Sequence, residues 1–341
     1  MYAGSFPLTR LRRCRKNQFT QALVQENSLQ VTDLVYPVFV SEGTQLIRPI
    51  ATMPGQNCYS IDQLLNVAAE CVKLGIPGIA LFPNIELAKK DKLASEAYNP
   101  QGLIPRAITE LKQKFPDLVI FTDVALDPYT LNGHDGITGD ANYVLNDITL
   151  EILSKQALCH AAAGADFVCP SDMMDGRILK IRQHLEAAGY VNTGILAYSA
   201  KYNSNFYGPF REAVGASCNA EKIDKSSYQL NPADANVAMH ETFIDIQEGA
   251  DIVMIKPGLP YLDILYRVKH EFKKPTAAYH VSGEYLMLKH CASFIDYNAA
   301  IIEIMLCFKR AGADFIWTYA ALDVAKILNK HNHLGELHGK K

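Results

Sequence analysis

Two lysines stand at the ends of strongly apolar segments, and their chemistry is the most informative feature of this sequence. Lys201 ends the segment that begins at Gly194, and Lys256 lies near the end of the segment that begins at Asp251. A free lysine amine is neutral in only about one molecule in 2,500 at pH 7. Burial and a second ammonium nearby both disfavour the charged form, so paired buried lysines predict an amine that forms a Schiff base with a carbonyl substrate. The alternative is that each lysine reaches solvent or pairs with a carboxylate.

Other polar side chains follow apolar segments in the same manner. Asp123 and Asp127 end one such segment, and Ser171 ends another. Ser282 follows a third, and Tyr319 lies at the end of a fourth. If the fold collects these ends on one side, the side chains form a single polar site with the two lysines.

Eight segments rich in β-branched and aromatic residues are predicted as strands. Most are continuously apolar rather than alternating, which is typical of parallel strands covered on both faces. The predicted strands are residues 33–40, 78–83, 118–127, 166–171, 194–201, 251–257, 276–281 and 314–320.

Helical patterns separate the predicted strands, and the sequence Gly-Ala-Asp recurs at residues 164–166, 249–251 and 312–314, each time between a helix and a strand. Eight strands alternating with helices favour a closed (β/α)8 TIM barrel over an open α/β sheet, and neither a Gly-x-Gly-x-x-Gly motif nor a P-loop is present. In such a barrel, the carboxyl ends of all strands meet at one mouth. The predicted helices are residues 60–74, 102–115, 149–163, 177–188, 236–248, 262–272, 297–311 and 322–330.

Two segments lie outside this alternation. Residues 1–30 fit no βα unit and are predicted as an extended N-terminal arm, which leaves residues 31–341 for the barrel. Residues 202–229 exceed an ordinary βα loop and predict a lid over the mouth. Within the lid, Arg211 and Lys225 are candidates to close on a substrate carboxylate, although each in isolation is typical of a solvated surface charge.

Several motifs resemble those of one enzyme family. AYSAKY at 197–202, FYGPFR at 206–211 and MIKPGLPYLD at 254–263 resemble delta-aminolevulinic acid dehydratases, also called porphobilinogen synthases. The resemblance implies a lyase that condenses two molecules of 5-aminolevulinate to porphobilinogen, with loss of two waters, in heme biosynthesis. Further matches at residues 53–55, 170–177 and 281–285 extend the resemblance over nearly the whole chain.

The resemblance also implies roles for individual residues. The lysine that matches Lys256 forms a Schiff base with one substrate, whose carboxylate meets the residues matching Ser282 and Tyr319. The second substrate is served by the residues that match Lys201, Arg211, Lys225 and Gln229.

One segment departs from the pattern of the zinc-dependent members, which carry three cysteines between the positions of Asp123 and Gly136. This chain has Ala125, Asp127 and Asp135 instead. Carboxylates suit Mg²⁺, a monovalent cation or no ion, so we predict no active-site zinc. Asp123, Asp127 and Asp135 become candidates for proton transfer or for a weakly held monovalent cation, and His134 is expected to be solvated.

A magnesium site is implied elsewhere. Met239, Phe243, Ile246 and Ala250 are predicted as the apolar stripe of a helix, which places Glu241 on the exposed face. Spacing alone favours a solvated carboxylate at Glu241. The resemblance implies that this glutamate binds an allosteric Mg²⁺ near a subunit interface.

Composition limits the partners of the chain. It has 341 residues, a net charge of −3 and 49% hydrophobic residues, which excludes a disordered chain and a strongly basic nucleic-acid binder. Eight cysteines without C-x-x-C spacing predict reduced thiols in a cytoplasmic protein. No apolar run is long enough to predict a membrane span.

The resemblance implies a homo-octamer in which the N-terminal arms embrace neighbouring barrels. Two alternatives to the dehydratase remain at this stage. A class I aldolase shares the barrel and the imine chemistry but ordinarily uses one lysine. A catalytically silent barrel that acts as a binding subunit is the alternative from another class.

Overall fold

The computed structural model describes residues 4–139, 143–214 and 224–338, and the described chain contains a closed parallel barrel. Its strands are β1 (Leu34–Ser41), β2 (Ile47–Pro49), β3 (Asn57–Tyr59), β4 (Gly78–Asn84), β5 (Val119–Val124), β6 (Phe167–Pro170), β7 (Gly194–Lys201), β8 (Ile252–Lys256), β9 (Thr276–His280) and β10 (Phe315–Thr318). Strand β1 is followed around the barrel by β4 to β10 in sequence order, and β10 pairs with β1 to close it. The predicted TIM barrel is therefore confirmed, and each predicted strand overlaps one of its eight members. The short antiparallel pair β2 and β3, which extends the sheet from β1, was not predicted.

Helices lie between the barrel strands, as predicted. Helix α9 begins directly after β9 and was not predicted, and neither was the short helix α1 in the arm. The helices are α1 (Gln18–Val24), α2 (Ile61–Leu74), α3 (Leu103–Lys114), α4 (Asn146–Ala163), α5 (Arg177–Ala187), α6 (Gly208–Ala213), α7 (Asn236–Gln247), α8 (Leu262–Phe272), α9 (Ser282–Cys291), α10 (Tyr297–Ala311) and α11 (Ala321–His338).

The repeated Gly-Ala-Asp sequence has a structural role at each of its three positions. Each glycine has a φ between +104° and +108°, a left-handed conformation that ends the preceding helix at little steric cost. Each aspartate then accepts a hydrogen bond from the first part of the preceding strand in the barrel, which fixes where the new strand starts. The three bonds are Ile120 N to Asp166 Oδ2 (2.7 Å), Ile195 N to Asp251 Oδ2 (2.8 Å) and Thr276 N to Asp314 Oδ2 (2.7 Å).

Aromatic rings fill the barrel interior beneath the mouth. The Trp317 ring centroid lies 5.3 Å from that of Phe121, 5.5 Å from Tyr279 and 6.1 Å from Tyr198. These rings are buried and interlocked edge to face, an arrangement that fixes their positions. The mouth therefore has a rigid apolar floor.

The pairing of β7 with β8 contains an irregularity. Ala197 pairs with Val253, whereas Ala200 pairs with Ile255, so two residues of β7, Tyr198 and Ser199, oppose one residue of β8. This is a β-bulge, which inserts one extra residue into a strand and shifts the register beyond it. Because of that shift, Lys201 pairs with Lys256.

The arm and the lid lie outside the barrel wall. Residues 4–30 are almost entirely exposed. The described part of the predicted lid contains a 3-10 turn (Asn205–Tyr207), helix α6 and residues 224–229, whereas residues 215–223, with Lys222, lie outside the described residues. Among the described residues, no helix combines the length and the apolar character needed to cross a membrane.

Candidate active site

Lys201 and Lys256 lie side by side at the barrel mouth. They end neighbouring parallel strands and are direct partners in the β7–β8 register. Each side chain is only 6% exposed. The predicted pair of close, buried amines is therefore confirmed, and neither lysine reaches solvent. The other part of the alternative, pairing with a carboxylate, applies to Lys201, whose Nζ lies 3.5 Å from Asp135 Oδ2.

Aromatic rings surround the amine of Lys256. Its Nζ lies 4.6 Å from the ring centroid of Tyr279, 5.0 Å from Tyr198, 5.1 Å from Phe210 and 5.2 Å from Tyr207. Burial, and secondly the charge of Lys201, lower the pKa of Lys256 to about 7. A substantial fraction of this amine is therefore neutral and nucleophilic at neutral pH.

A carboxylate and a backbone carbonyl contact the amine of Lys201. Its Nζ lies 3.5 Å from Asp135 Oδ2 and donates a hydrogen bond to the backbone carbonyl of Ser171. The other oxygen of Asp135 is 3.0 Å from the Nζ of Lys225, which lies 3.5 Å from Asp127 Oδ2. Gln229 donates a 3.4 Å hydrogen bond to Asp135. One carboxylate thus bridges two ammonium groups, and the three form a charged layer beside the aromatic pocket.

Two aspartates at the mouth differ in their protonation. Burial alone would raise the pKa of Asp135, but Lys201 and Lys225 outweigh it and lower that pKa to about 2. Burial, and secondly the charge of Asp127, raise the pKa of Asp123 to about 7. Asp135 is therefore a fixed anion, whereas Asp123 can hold or release a proton near neutral pH.

Lid residues pack directly over Lys256. The backbone N–H of Phe210 donates to the hydroxyl of Ser282 at 3.2 Å, and that hydroxyl donates to the carbonyl of Phe206 at 3.2 Å. Tyr319 shares a 2.8 Å hydrogen bond with Tyr279, one of the rings around Lys256. Both hydroxyl residues that the sequence singled out therefore lie on the Lys256 side of the mouth.

Arg211 and Lys225 come from different parts of the lid. Lys225 is buried among the carboxylates, whereas Arg211 lies half-buried in α6. Although burial lowers it, Asp135 and Asp127 raise the pKa of Lys225, and the charge of Arg211 opposes this rise. Arg211 and Lys225 therefore lie within electrostatic range of each other. Of these two cations, Lys225 is the one that contacts Asp135 and Asp127 among the described residues.

Sequence reasoning missed two features of the mouth. His134 is 7% exposed rather than solvated, and its Nδ1 lies 3.2 Å from the hydroxyl of Tyr228. The expectation of a solvated histidine was wrong because Tyr228 returns from the lid to cover it. The second feature is the cage of aromatic rings around the Lys256 amine. The AYSAKY and FYGPFR motifs contain tyrosines of this cage, but the sequence alone does not show that their rings surround one amine.

Glu241 lies away from the lysine pair. The predicted apolar stripe of its helix is confirmed at Met239 and Ala250, which are buried, and at Ile246, which packs against the core. It is wrong at Phe243, which is 47% exposed, and α7 also buries Ala238, Thr242 and Asp245. Glu241 is half-buried, and burial raises the pKa of its carboxyl. It lines a cavity of about 280 Å³ together with Asp175, Gln229 and other residues of the lid base.

Metal ligands are sparse in the described part of the chain. No group of three or more histidine, cysteine, aspartate or glutamate side chains there is arranged to hold a metal ion. Between Asp127 and Asp135, the ammonium of Lys225 contacts both carboxylates, so these residues do not fit an additional cation. The absence of active-site zinc stays a prediction.

A closed barrel with two buried amines at the carboxyl ends of its strands defines the class of imine-forming (β/α)8 enzymes. Within this class, residues 8–327 match the family described as delta-aminolevulinic acid dehydratase. The chain belongs to that family.

Relatives and a solved structure agree with this assignment. A delta-aminolevulinic acid dehydratase from Methanothermus sociabilis is 49% identical over 323 residues, which cover 94% of this chain and 99% of the relative. A chloroplastic dehydratase from Glycine max is 47% identical over 330 residues, covering 95% and 79% of the two chains. The crystal structure of the dehydratase (porphobilinogen synthase) from Toxoplasma gondii ME49, in complex with the reaction product porphobilinogen, has a TM-score of 0.92 and 46% identity, with 94% and 92% of the chains covered.

Proposed function

We propose that this protein condenses two molecules of 5-aminolevulinate to porphobilinogen, with loss of two waters, in heme biosynthesis. The observation that carries the proposal is the direct pairing of Lys201 with Lys256 inside one buried mouth. A class I aldolase needs only one lysine at the mouth. A catalytically silent barrel needs no buried lysine there.

The first substrate binds at Lys256 in this proposal. The neutral amine attacks the ketone carbon, and one water leaves as the imine forms. Ser282 and Tyr319, on the same side of the mouth, would receive the carboxylate of this substrate. Both hydroxyls currently bond to the lid or to Tyr279, so the substrate carboxylate must replace those partners. Exclusion of water by the surrounding rings favours the dehydrated imine.

The second substrate binds at Lys201. The amine of Lys201 forms a second imine with the ketone of this substrate, and a second water leaves. The backbone carbonyl of Ser171 and the carboxylate of Asp135 orient the amine. Lys225 and Arg211 are the cations available to receive the second carboxylate without a metal, and Gln229 is available to donate a hydrogen bond to it. Both lysines are released as amines when the C–C and C–N bonds of the pyrrole ring form, so the total loss is two waters.

Asp123 is the candidate for moving protons between these steps. It is buried at the end of β5, and its pKa of about 7 allows both protonation states near neutral pH. Asp127 and Asp135 contribute negative charge that holds Lys225 and Lys201 in place.

We also propose that Mg²⁺ binds at Glu241 as an allosteric ion. Mg²⁺ is commonly held by one or two carboxylates and several waters, and Glu241 with Asp175 beside a cavity of about 280 Å³ fits that donor set. The ion would supply positive charge beside the lid base, where Gln229 also lines the cavity.

The proposed assembly is a homo-octamer in which the arm contacts a neighbouring barrel. Support comes from large apolar arm side chains that are 75–86% exposed in the single chain, which is unusual unless a partner covers them. These side chains are Phe6, Leu8, Leu11, Phe19 and Leu23. Light scattering of a chain that lacks residues 1–30 should give a smaller particle than the full chain.

We propose a cytoplasmic location, supported by the chemistry of the cysteines. All described cysteines are free, and Cys58, Cys71 and Cys169 are buried. Unpaired thiols are typical of a reducing compartment. Fractionation of cells that express the tagged chain tests this location.

Borohydride reduction in the presence of 5-aminolevulinate, followed by peptide mass mapping, tests the activity. We expect adducts on both Lys256 and Lys201, together with porphobilinogen formation before reduction. An adduct on one lysine with a different aldehyde or ketone only would support an aldolase instead. Absence of any adduct would support the silent barrel.

A further inference from the structure

The bulge in β7 has a consequence for which side chains face the barrel interior. Tyr198 and Lys201 both point inward, because the ring of Tyr198 lies 5.0 Å from Lys256 Nζ and Lys201 contacts Asp135. Successive residues of a regular strand face opposite sides, so two residues separated by three positions cannot share a face. The extra residue at the bulge turns Lys201 to the same face of the strand as Tyr198. Without that residue, Lys201 would oppose Pro257 rather than Lys256.

One buried arginine holds the first residue of the bulge from outside the barrel. Arg177, the first residue of α5, is 2% exposed, and its Nη2 donates to the carbonyl of Tyr198 at 3.3 Å. The same nitrogen donates to Asp245 Oδ2 at 3.0 Å, and Nη1 donates to the carbonyl of Met174 at 3.2 Å. The guanidinium therefore ties three segments together at the bulge.

The partner of that arginine lies on the other side of β7. Asp245 lies on α7 and is 1% exposed. Burial raises the pKa of Asp245, and the charge of Arg177 opposes this rise. The carbonyl of Tyr198 at the bulge is thus bound by an ion pair whose members come from the two helices that flank β7.

We propose that the Arg177–Asp245 ion pair is a positioning device that maintains the β7 bulge and thereby holds Lys201 opposite Lys256. The inference rests on the proposed function, because it assigns the ion pair a purpose in two-lysine chemistry. Buried ion pairs add little stability compared with apolar residues of the same shape, but they specify one arrangement of the groups they bind. Neither Arg177 nor Asp245 contacts the amines, so their effect on the reaction passes through the backbone of β7.

The first test is the variant Arg177→Lys. A lysine keeps the positive charge beside Asp245, but its single ammonium cannot reach Asp245, Tyr198 and Met174 at once. We expect the borohydride-trapped adduct on Lys201 to fall about tenfold relative to the adduct on Lys256, with kcat reduced to a similar extent. A purely structural role would lower the melting temperature but leave the ratio of the two adducts unchanged.

Two further variants control this result. Arg182→Lys is the matched control, because Arg182 on the same helix also donates to two backbone carbonyls, those of Thr193 and Tyr190, away from the bulge. Its adduct ratio should stay within about twofold of the wild type. Asp245→Asn removes the anion that holds the guanidinium of Arg177 beside the carbonyl of Tyr198, and we expect it to lower the adduct ratio by about threefold.

The outcomes separate this inference from the proposed function. If the wild-type protein gives adducts on both lysines and the ratio is unchanged in Asp245→Asn and in folded Arg177→Lys, the positioning role is overturned. If the wild-type protein forms no adduct, the proposed function fails, and the register is then read from crystal structures of the same variants. Lys201 displaced from Lys256 in those structures supports the positioning role, and Lys201 still opposite Lys256 overturns it.

Discussion

Lys201 and Lys256 occupy the same level of the barrel mouth, yet their surroundings are opposite. Aromatic rings enclose the Lys256 amine, and its pKa falls to about 7 because burial disfavours the ammonium. The Lys201 amine lies 3.5 Å from Asp135 in a layer of alternating charges that includes Lys225. Strand register thus places the two amines, whereas the rings and charges around each amine, supplied by strands, loops and the lid, determine what that amine can do.

This difference suggests an order of events at the mouth. The dry pocket favours a neutral nucleophile, so the first imine is expected on Lys256. The charged layer favours binding of an anionic substrate, so the second 5-aminolevulinate is expected to be held by Lys225, Arg211 and Gln229 next to Lys201.

Replacement of the amines should separate the two sides most clearly. Lys256→Met should lower kcat by on the order of 10⁴-fold or more, because the nucleophile is lost. Lys201→Met should also lose turnover but should still give a borohydride-trapped adduct on Lys256. Mass mapping of both variants checks this asymmetry, and a Lys201→Met protein that forms porphobilinogen at a normal rate would contradict the two-lysine account.

Loss of the bridging carboxylate should disturb the charged side alone. Asp135→Asn removes the anion between Lys201 and Lys225, and we expect kcat/KM to fall by on the order of 10²-fold while the Lys256 adduct persists. Asp127→Asn is the matched comparison. It should have a smaller effect, because Asp127 contacts a single lysine, Lys225, at a distance of 3.5 Å. Steady-state kinetics with both variants measure the difference; equal effects would mean that the bridge has no special role.

Opening the aromatic side should change the pH dependence. Phe210→Ala admits water next to Lys256, which stabilises the ammonium and raises its pKa by about one unit. Because the protonated amine is inactive, the acid limb of the kcat/KM profile should move to higher pH, with about tenfold lower activity at pH 6 and little change at pH 9. Phe243→Ala, at an exposed position on α7, is the control, and a profile that shifts equally in both variants would remove Phe210 from the explanation.

Metal removal should have the smallest effect. Depletion of zinc should leave activity intact, whereas depletion of magnesium or the variant Glu241→Ala should lower activity by a few-fold or change the particle size. Glu303→Ala, an exposed glutamate on α10, should behave as the wild type. Activity that disappears on chelation and returns with zinc alone would refute the predicted absence of active-site zinc.

Much of the fold could be predicted because each barrel strand is a continuous apolar run. The Gly-Ala-Asp repeats also marked three helix-to-strand junctions through one chemical device, a left-handed glycine followed by an aspartate that binds the adjacent strand. The β7 bulge was not predictable in this way, since Tyr198 and Ser199 have ordinary strand composition. The group that binds its backbone is Arg177, held by Asp245, and both are distant from the bulge in sequence.

The errors at α7 and His134 have a common physical origin. Helix α7 buries Ala238, Thr242 and Asp245 next to Met239 of the predicted stripe. The ion pair of Asp245 with Arg177 fixes this face toward the barrel and leaves Phe243 exposed. His134 is buried because Tyr228 reaches it from the lid, more than ninety residues away along the chain. In both cases a tertiary contact overrides the local apolar pattern, and a single sequence contains no record of that contact.

The protonation of Lys256 in the substrate-free protein tests the central claim most directly. Trace acetylation of the native protein over a range of pH, quantified by mass spectrometry at each lysine, gives the titration of this amine. We predict that Lys256 reacts with a midpoint at a pH of about 7. A midpoint near 10.4, the ordinary value for a solvated lysine, would contradict a dry aromatic pocket that releases a neutral amine.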